Sequence, residues 1–107
     1  MQRLRLTFTR DEQLGYISHL DITRLWERVF RRADLPLTYS QGFSPHPKIS
    51  IAAPLSLGVT SEGELMDVEM DRRVATPFAL KKLTPELPPG IEIRALAEVP
   101  LTWPSLQ

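Results

Sequence analysis

The chain has no cysteine. That excludes disulfides, thiolate metal sites and an iron–sulfur cluster held by its own residues, and it suits a reducing, cytoplasmic setting. His19 and His46 are the only imidazoles. No apolar run approaches the length of a membrane span, and the amino terminus lacks a signal-peptide core, so no membrane association is expected. Internal repeats and low-complexity tracts are absent. Net charge is also missing, with 13 basic residues against 13 acidic ones, so the whole chain has no net field to attract polyanions. The distribution is uneven, however: residues 1–50 carry eight Lys/Arg against five acids, and residues 51–107 carry five against eight. An anionic partner should meet the first half.

What is present suits one compact domain. With 107 residues, 42% of them hydrophobic, the chain can bury roughly two thirds of its unfolded surface around a single core. Residues 1–100 are read as that domain and 101–107 as a tail leading toward a second portion.

"RLRLTFTR" (3–10) alternates Leu4, Leu6 and Phe8 with polar residues, the period of a half-buried strand. "SHLDITRLWERVFRRADLP" places Ile22, Leu25, Trp26, Val29, Phe30 and Ala33 at helical spacing, with Ser18 and Asp21 as a capping pair and Pro36 as the stop. "PKISIAAPL" turns Ile49, Ile51 and Ala53 inward, "LGVTSEG" supplies a turn, and "ELMDVEMD" alternates Met66, Val68 and Met70 with acids, so these strands form a hairpin. Thr76 is the expected N-cap of a second helix with Pro77 in its first turn, and Gly90 releases "IEIRALAEV" as the last strand.

The order β-α-β-β-α-β is that of an α+β, ferredoxin-like sandwich, in which two helices cover one face of a four-stranded antiparallel sheet. Strand one should lie between strands three and four. The expected core is Leu4, Leu6, Phe8, Leu25, Val29, Phe30, Ile49, Ile51, Met66, Val68, Ile91 and Ile93. The other sheet face should carry Arg3, Arg5, Thr7 and Thr9 beside Asp67, Glu69 and Asp71, with Glu92 and Arg94 on strand four. Cross-strand ion pairs are expected there, and the outward positions of the strands hold no aromatic on which a base could stack. Trp103, in the tail, either folds back or docks on the second portion.

Two segments carry chemistry. On a helical wheel Arg24, Arg28 and Arg31 fall within about sixty degrees of one another, flanked by Arg32. This ridge is either a solvated helix face or an anion-binding surface, since guanidinium forks fit phosphate. "YSQGFSPHPKIS" (39–50) comes directly after it, with Gly42 permitting a turn and Pro45 and Pro47 holding His46 extended between them. The prolines make the loop stiff. Phe43 is a core plug or a stacking platform, and Tyr39, Gln41, His46 and Lys48 complete the candidate binding set. A His19–His46 dyad is improbable, because about fifteen residues, about 22 Å of helix rise, separate the two ends of the first helix. His19 is instead expected near Asp21, Ser61, Glu62 and Glu64 as a second polar cluster. These groups have donors for a metal, but caps and turn polars are their commoner role. No metal is assigned, and no catalytic residue is fixed by pattern alone.

"YISHLD", "RLWERVFRRADLPLTYSQGFSPHPKISIAAPL" and "GVTSEGELMDVEM" together resemble an uncharacterised family that occurs as a partner of, or a carboxyl-terminal extension on, radical SAM proteins. The resemblance covers almost the whole chain. It implies the first half of the family domain, since members usually continue past a "PSL" segment. It further implies action beside a radical SAM enzyme, with S-adenosylmethionine and the iron–sulfur cluster on that partner and no cofactor on this chain. Topology adds a looser likeness to ferredoxin-like RNA-processing proteins of CRISPR systems, an analogy of fold only. The expected role is an accessory substrate-recognition or scaffolding domain that binds RNA. One alternative is a small metal-independent endoribonuclease using His46 with Arg32 or Lys48; another is a protein-interaction module whose ridge docks on the partner enzyme.

Overall fold

A computed structural model of the chain describes residues 1–11, 14, 17–52 and 61–104, without the side chains of 61 and 62. The strands are β1 (Gln2–Arg10), β2 (Ile49–Ile51), β3 (Ser61–Met70) and β4 (Ile91–Val99), and the helices α1 (His19–Arg32) and α2 (Thr76–Leu83). The expected position of Ala53 and the turn before β3 lie outside the described residues.

Alternation in β1 sets the sheet. Gln2, Leu4, Leu6, Phe8 and Arg10 are buried while the residues between them are half-buried. β1 pairs antiparallel with β3 through Leu4↔Val68 and Leu6↔Met66, so the two apolar rows share a face. β4 pairs along the other edge of β1 and β2 along the outer edge of β3, giving the antiparallel order β2-β3-β1-β4. This is the split βαβ plan of a ferredoxin-like fold, α+β in class.

β4 departs from simple alternation. Its apolar residues change phase, from Ile91 and Ile93 to Leu96, and the ladder absorbs the change: Thr7 pairs with Ala95 but Phe8 with Ile93. Arg94 is left in the bulge between them. It stays exposed beside Glu92, as expected, and the two side chains meet at 3.0 Å.

Ser18 caps α1, its Oγ accepting from the Asp21 N–H at 3.1 Å. The helix stops at Ala33, Asp34 takes a left-handed φ of 56°, and Leu35 and Leu37 return the chain to the core. α2 begins after Ala75, which makes no side-chain cap bond, so Thr76 is the first helical residue and not the cap. Gly90 opens β4 at φ 94°, with its carbonyl accepting from the Asp11 N–H at 3.0 Å. A Cβ there would lie 2.9 Å from both Asp11 carboxylate oxygens.

Both helices bury side chains in the same cluster as the inward sheet residues. Nine of the twelve expected core residues are buried, and Leu25, Ile49 and Ile93 pack partly buried against them. The largest buried side chain is Trp26, with ring centroids of Phe8 and Phe30 at 5.0 and 5.9 Å. Edge-on and tilted aromatic contacts of this kind add roughly 0.5–1.5 kcal/mol beyond area burial. No helix among the described residues is long and apolar enough to cross a membrane.

Replacing Trp26 by Ala should cost about 3–5 kcal/mol, because the site is enclosed on all sides and collapses poorly. Urea denaturation measures it. Leu65→Ala, on the outward face of β3, should stay within about 1 kcal/mol of the parent; equal midpoints for the two variants would show that α1 is rotated differently.

Candidate functional site

The segment after α1 is a cinched finger. The Thr38 N–H donates to the Glu69 carbonyl at 2.9 Å and the Lys48 N–H to the Thr38 carbonyl at 2.8 Å. Tyr39 then bridges Pro47, and the Ser40 N–H donates to the His46 carbonyl at 2.8 Å. The Ser40 hydroxyl accepts the His46 N–H at 3.1 Å, and the Thr38 hydroxyl meets Asp71 at 2.8 Å. Chain from Thr38 to Lys48 therefore leaves the edge of β3 as a narrow hairpin with residues 41–45 at its tip. Gly42 has φ 125°, a conformation that side chains resist, which is the reason for a glycine here. Pro47 is buried and fixes the base of the hairpin.

At the tip Phe43 is fully exposed, at 107% of its reference area. The core-plug reading of this ring is thus removed. Tyr39 is 44% exposed, and Gln41, His46 and Lys48 are exposed as well.

Beside the hairpin runs the ridge. Arg24, Arg28, Arg31 and Arg32 are all exposed. None forms an ion pair among the described residues. Glu27 is the acid closest to them in sequence, but its Oε1 faces His46 Nδ1 at 3.6 Å. That approach brings the hairpin beside the flank of α1. Arg28 and Arg32 border a cavity between α1 and the connection from α2 to β4. Lys48 instead faces the outer side of the sheet, lining a small cleft with Arg3, Ser50, Asp67 and Glu69.

The second polar set is not gathered around His19 in the way its chain positions suggest. Glu64 lies on the inward row of β3, buried, with Oε2 2.8 Å from Arg10 Nε. Arg10 also donates to the Leu14 carbonyl at 3.3 Å. Asp21 is exposed and His19 half-buried; the side chains of Ser61 and Glu62 lie outside the described residues. Among the described residues, no three of His, Asp and Glu come together to hold a metal.

The outer sheet face is charge-balanced. Arg5 donates from Nε and Nη2 to the two oxygens of Asp67, at 2.8 and 3.0 Å. The hydrogen bond to Asp67, with its charge adding to it against the cost of burial, raises the Arg5 guanidinium above its ordinary range. The tail supplies what the strands lack: the Trp103 ring lies 5.1 Å from Arg5 Cζ, and its carbonyl accepts from Arg3 Nη1 at 2.8 Å. Trp103 therefore folds back onto this face. The strand register explains it, since Arg3 pairs with Val99 at the end of β4 and the tail starts beside it.

Residues 3–107 match the family described as "Uncharacterized protein conserved in bacteria (DUF2344)". No curated protein matches the chain.

Arg5→Met should leave the buried Asp67 carboxylate without its donors and cost about 1–3 kcal/mol in urea denaturation. Pairing it with Asp67→Leu should recover at least ~0.5 kcal/mol of the summed loss in a double-mutant cycle. Strict additivity would mean that the pair does not couple β1 to β3.

Proposed function

We propose that this chain, which belongs to that uncharacterised bacterial family, is an accessory recognition domain that binds RNA and presents it to a radical SAM enzyme. The observation that carries the reading is Phe43, fully exposed at the tip of a hairpin tied by backbone bonds and two prolines. Burial would remove an isolated ring from water, and here the fold instead holds it outward. A fixed aromatic face suits unpaired bases, which stack on it irrespective of sequence. Its fixed shape also lowers the ordering cost of binding.

The unpaired arginines of α1 supply the complementary charge. Phosphates meet guanidinium forks that form no ion pair among the described residues, and the excess of basic residues in 1–50 favours the same half of the chain. Recognition is favoured over cleavage, because no cleft among the described residues has His46 in its lining, where a scissile phosphate would have to sit. The pairing with a radical SAM enzyme is supported by the "SHLD" and "GFSPHPK" resemblance. Such an enzyme would supply the cluster and S-adenosylmethionine.

Titration of single-stranded RNA at several salt concentrations tests the reading. Arg24→Ala, Arg28→Ala and Arg31→Ala should each weaken binding and lower the slope of log affinity against log salt by ~0.7 per lost contact. Phe43→Ala should cost ~1–3 kcal/mol with the slope unchanged. Circular dichroism confirms that each variant is folded. Parental affinity in all three basic variants would end the RNA reading.

A further inference from the structure

We propose that the cavity between α1 and the α2–β4 connection is a site for a single nucleotide unit, with the phosphate on Arg28 and Arg32 and the base against Leu25, Val29 and Leu87. This deepens the RNA reading and rests on it. The cavity has a volume of about 290 Å³, at the small end of ligand sites, so it has room for one ring system with its sugar and not for a stretch of chain.

Its chemistry is divided as a nucleotide is. Both sides contribute apolar surface, Leu25 and Val29 from α1 and Leu87 with the rings of Pro85 and Pro88 from the connection. The rim toward solvent holds the guanidinium groups of Arg28 and Arg32, one helical turn apart. Glu86 lies on the opposite side, a carboxylate able to accept from ribose hydroxyls or a base amino group. The wall is pre-shaped, since Thr84–Glu86 forms a 3-10 turn and the Leu87 and Ile91 N–H groups donate to Thr84 and Pro88 at 3.3 Å.

Charge separates this cavity from the other clefts. In the cleft at the start of α2, Arg73 meets Glu98 at 3.1 Å, and in the one below it Arg94 meets Glu92 at 3.0 Å. The cleft on the sheet face sets Arg3 and Lys48 against Asp67 and Glu69. Arg28 and Arg32 have no ion-pair partner among the described residues, and with Arg24 they form an unbroken i, i+4 series of like charges. Such a series disfavours the helix unless an anion neutralises it. An apolar wall beside it requires that the anion carry an apolar body, which inorganic phosphate lacks.

The test is a methyl and amide NMR titration of the folded chain with adenosine 5′-monophosphate, adenosine and inorganic phosphate. The monophosphate should shift Leu25, Val29 and Leu87 saturably, and adenosine and phosphate should each bind at least about tenfold more weakly. Arg28→Gln combined with Arg32→Gln should weaken monophosphate binding about tenfold or more, whereas Arg73→Gln, in the separate cleft at the start of α2, should leave it within about twofold. Phosphate binding as tight as the monophosphate, indifference to the Arg28 and Arg32 changes, or no shift in the cavity would each overturn the proposal. A single-stranded oligonucleotide titrated in parallel separates the two readings: oligonucleotide binding with a silent cavity overturns the cavity alone. Monophosphate in the cavity without oligonucleotide binding upholds the cavity and overturns the RNA reading.

Discussion

Trp26 sits between Phe8 on β1 and Phe30 one turn further along α1, with no exposed surface. An indole that large fits in one orientation, and close packing tolerates little rotation of the helix that carries it. The rotation of α1 about its axis is therefore set from within. Once Ile22, Trp26, Val29 and Phe30 face the sheet, the arginines must face water and Glu27 must fall on the flank beside the hairpin. The external chemistry of the chain is thus dictated by its aromatic core.

Two surfaces of opposite character result. On the outer sheet face the arginines of β1 have partners: Arg5 with Asp67, Arg3 with the Trp103 carbonyl, and Arg5 again with the Trp103 ring. The two contacts of Trp103 join residues about a hundred positions apart and hold the tail to β1. The α1 side is left unbalanced, with four exposed arginines that form no ion pair among the described residues. Pairing stabilises a fold, whereas unpaired like charge on a rigid surface suits a ligand. That contrast favours binding on the helix side and structural work on the sheet face, although sheet faces of this topology are where bases stack in RNA-recognition domains.

The fold was legible because its signals are local and periodic. Alternation in 3–10 and 66–70, the helical spacing of 22–33 and the turn residues suffice for the element order, and the right-handed crossover rule does the rest. What escaped was non-periodic or long-range. The bulge at Arg94 shows in sequence only as a change of phase between Ile93 and Leu96. Arg10 and Glu64 continue the inward rows of β1 and β3 as a buried pair, whereas the sequence placed Glu64 among caps and turn polars near His19. Trp103 over Arg5 leaves no local trace at all. In the candidate site, the stiffness of the hairpin could be read from Pro45 and Pro47. The exposure of Phe43 could not, because one aromatic between a glycine and a proline has no period to assign its face.

If the hairpin tip and the arginine face of α1 form one RNA-binding surface, amide shift mapping of the isotopically labelled chain with a short single-stranded RNA shows it most directly. The largest changes are then expected at residues 41–45 and at the exposed positions of α1, with β1 and β3 little altered. Changes confined to the sheet face around Arg5 and Trp103, with Phe43 unmoved, would contradict a shared surface.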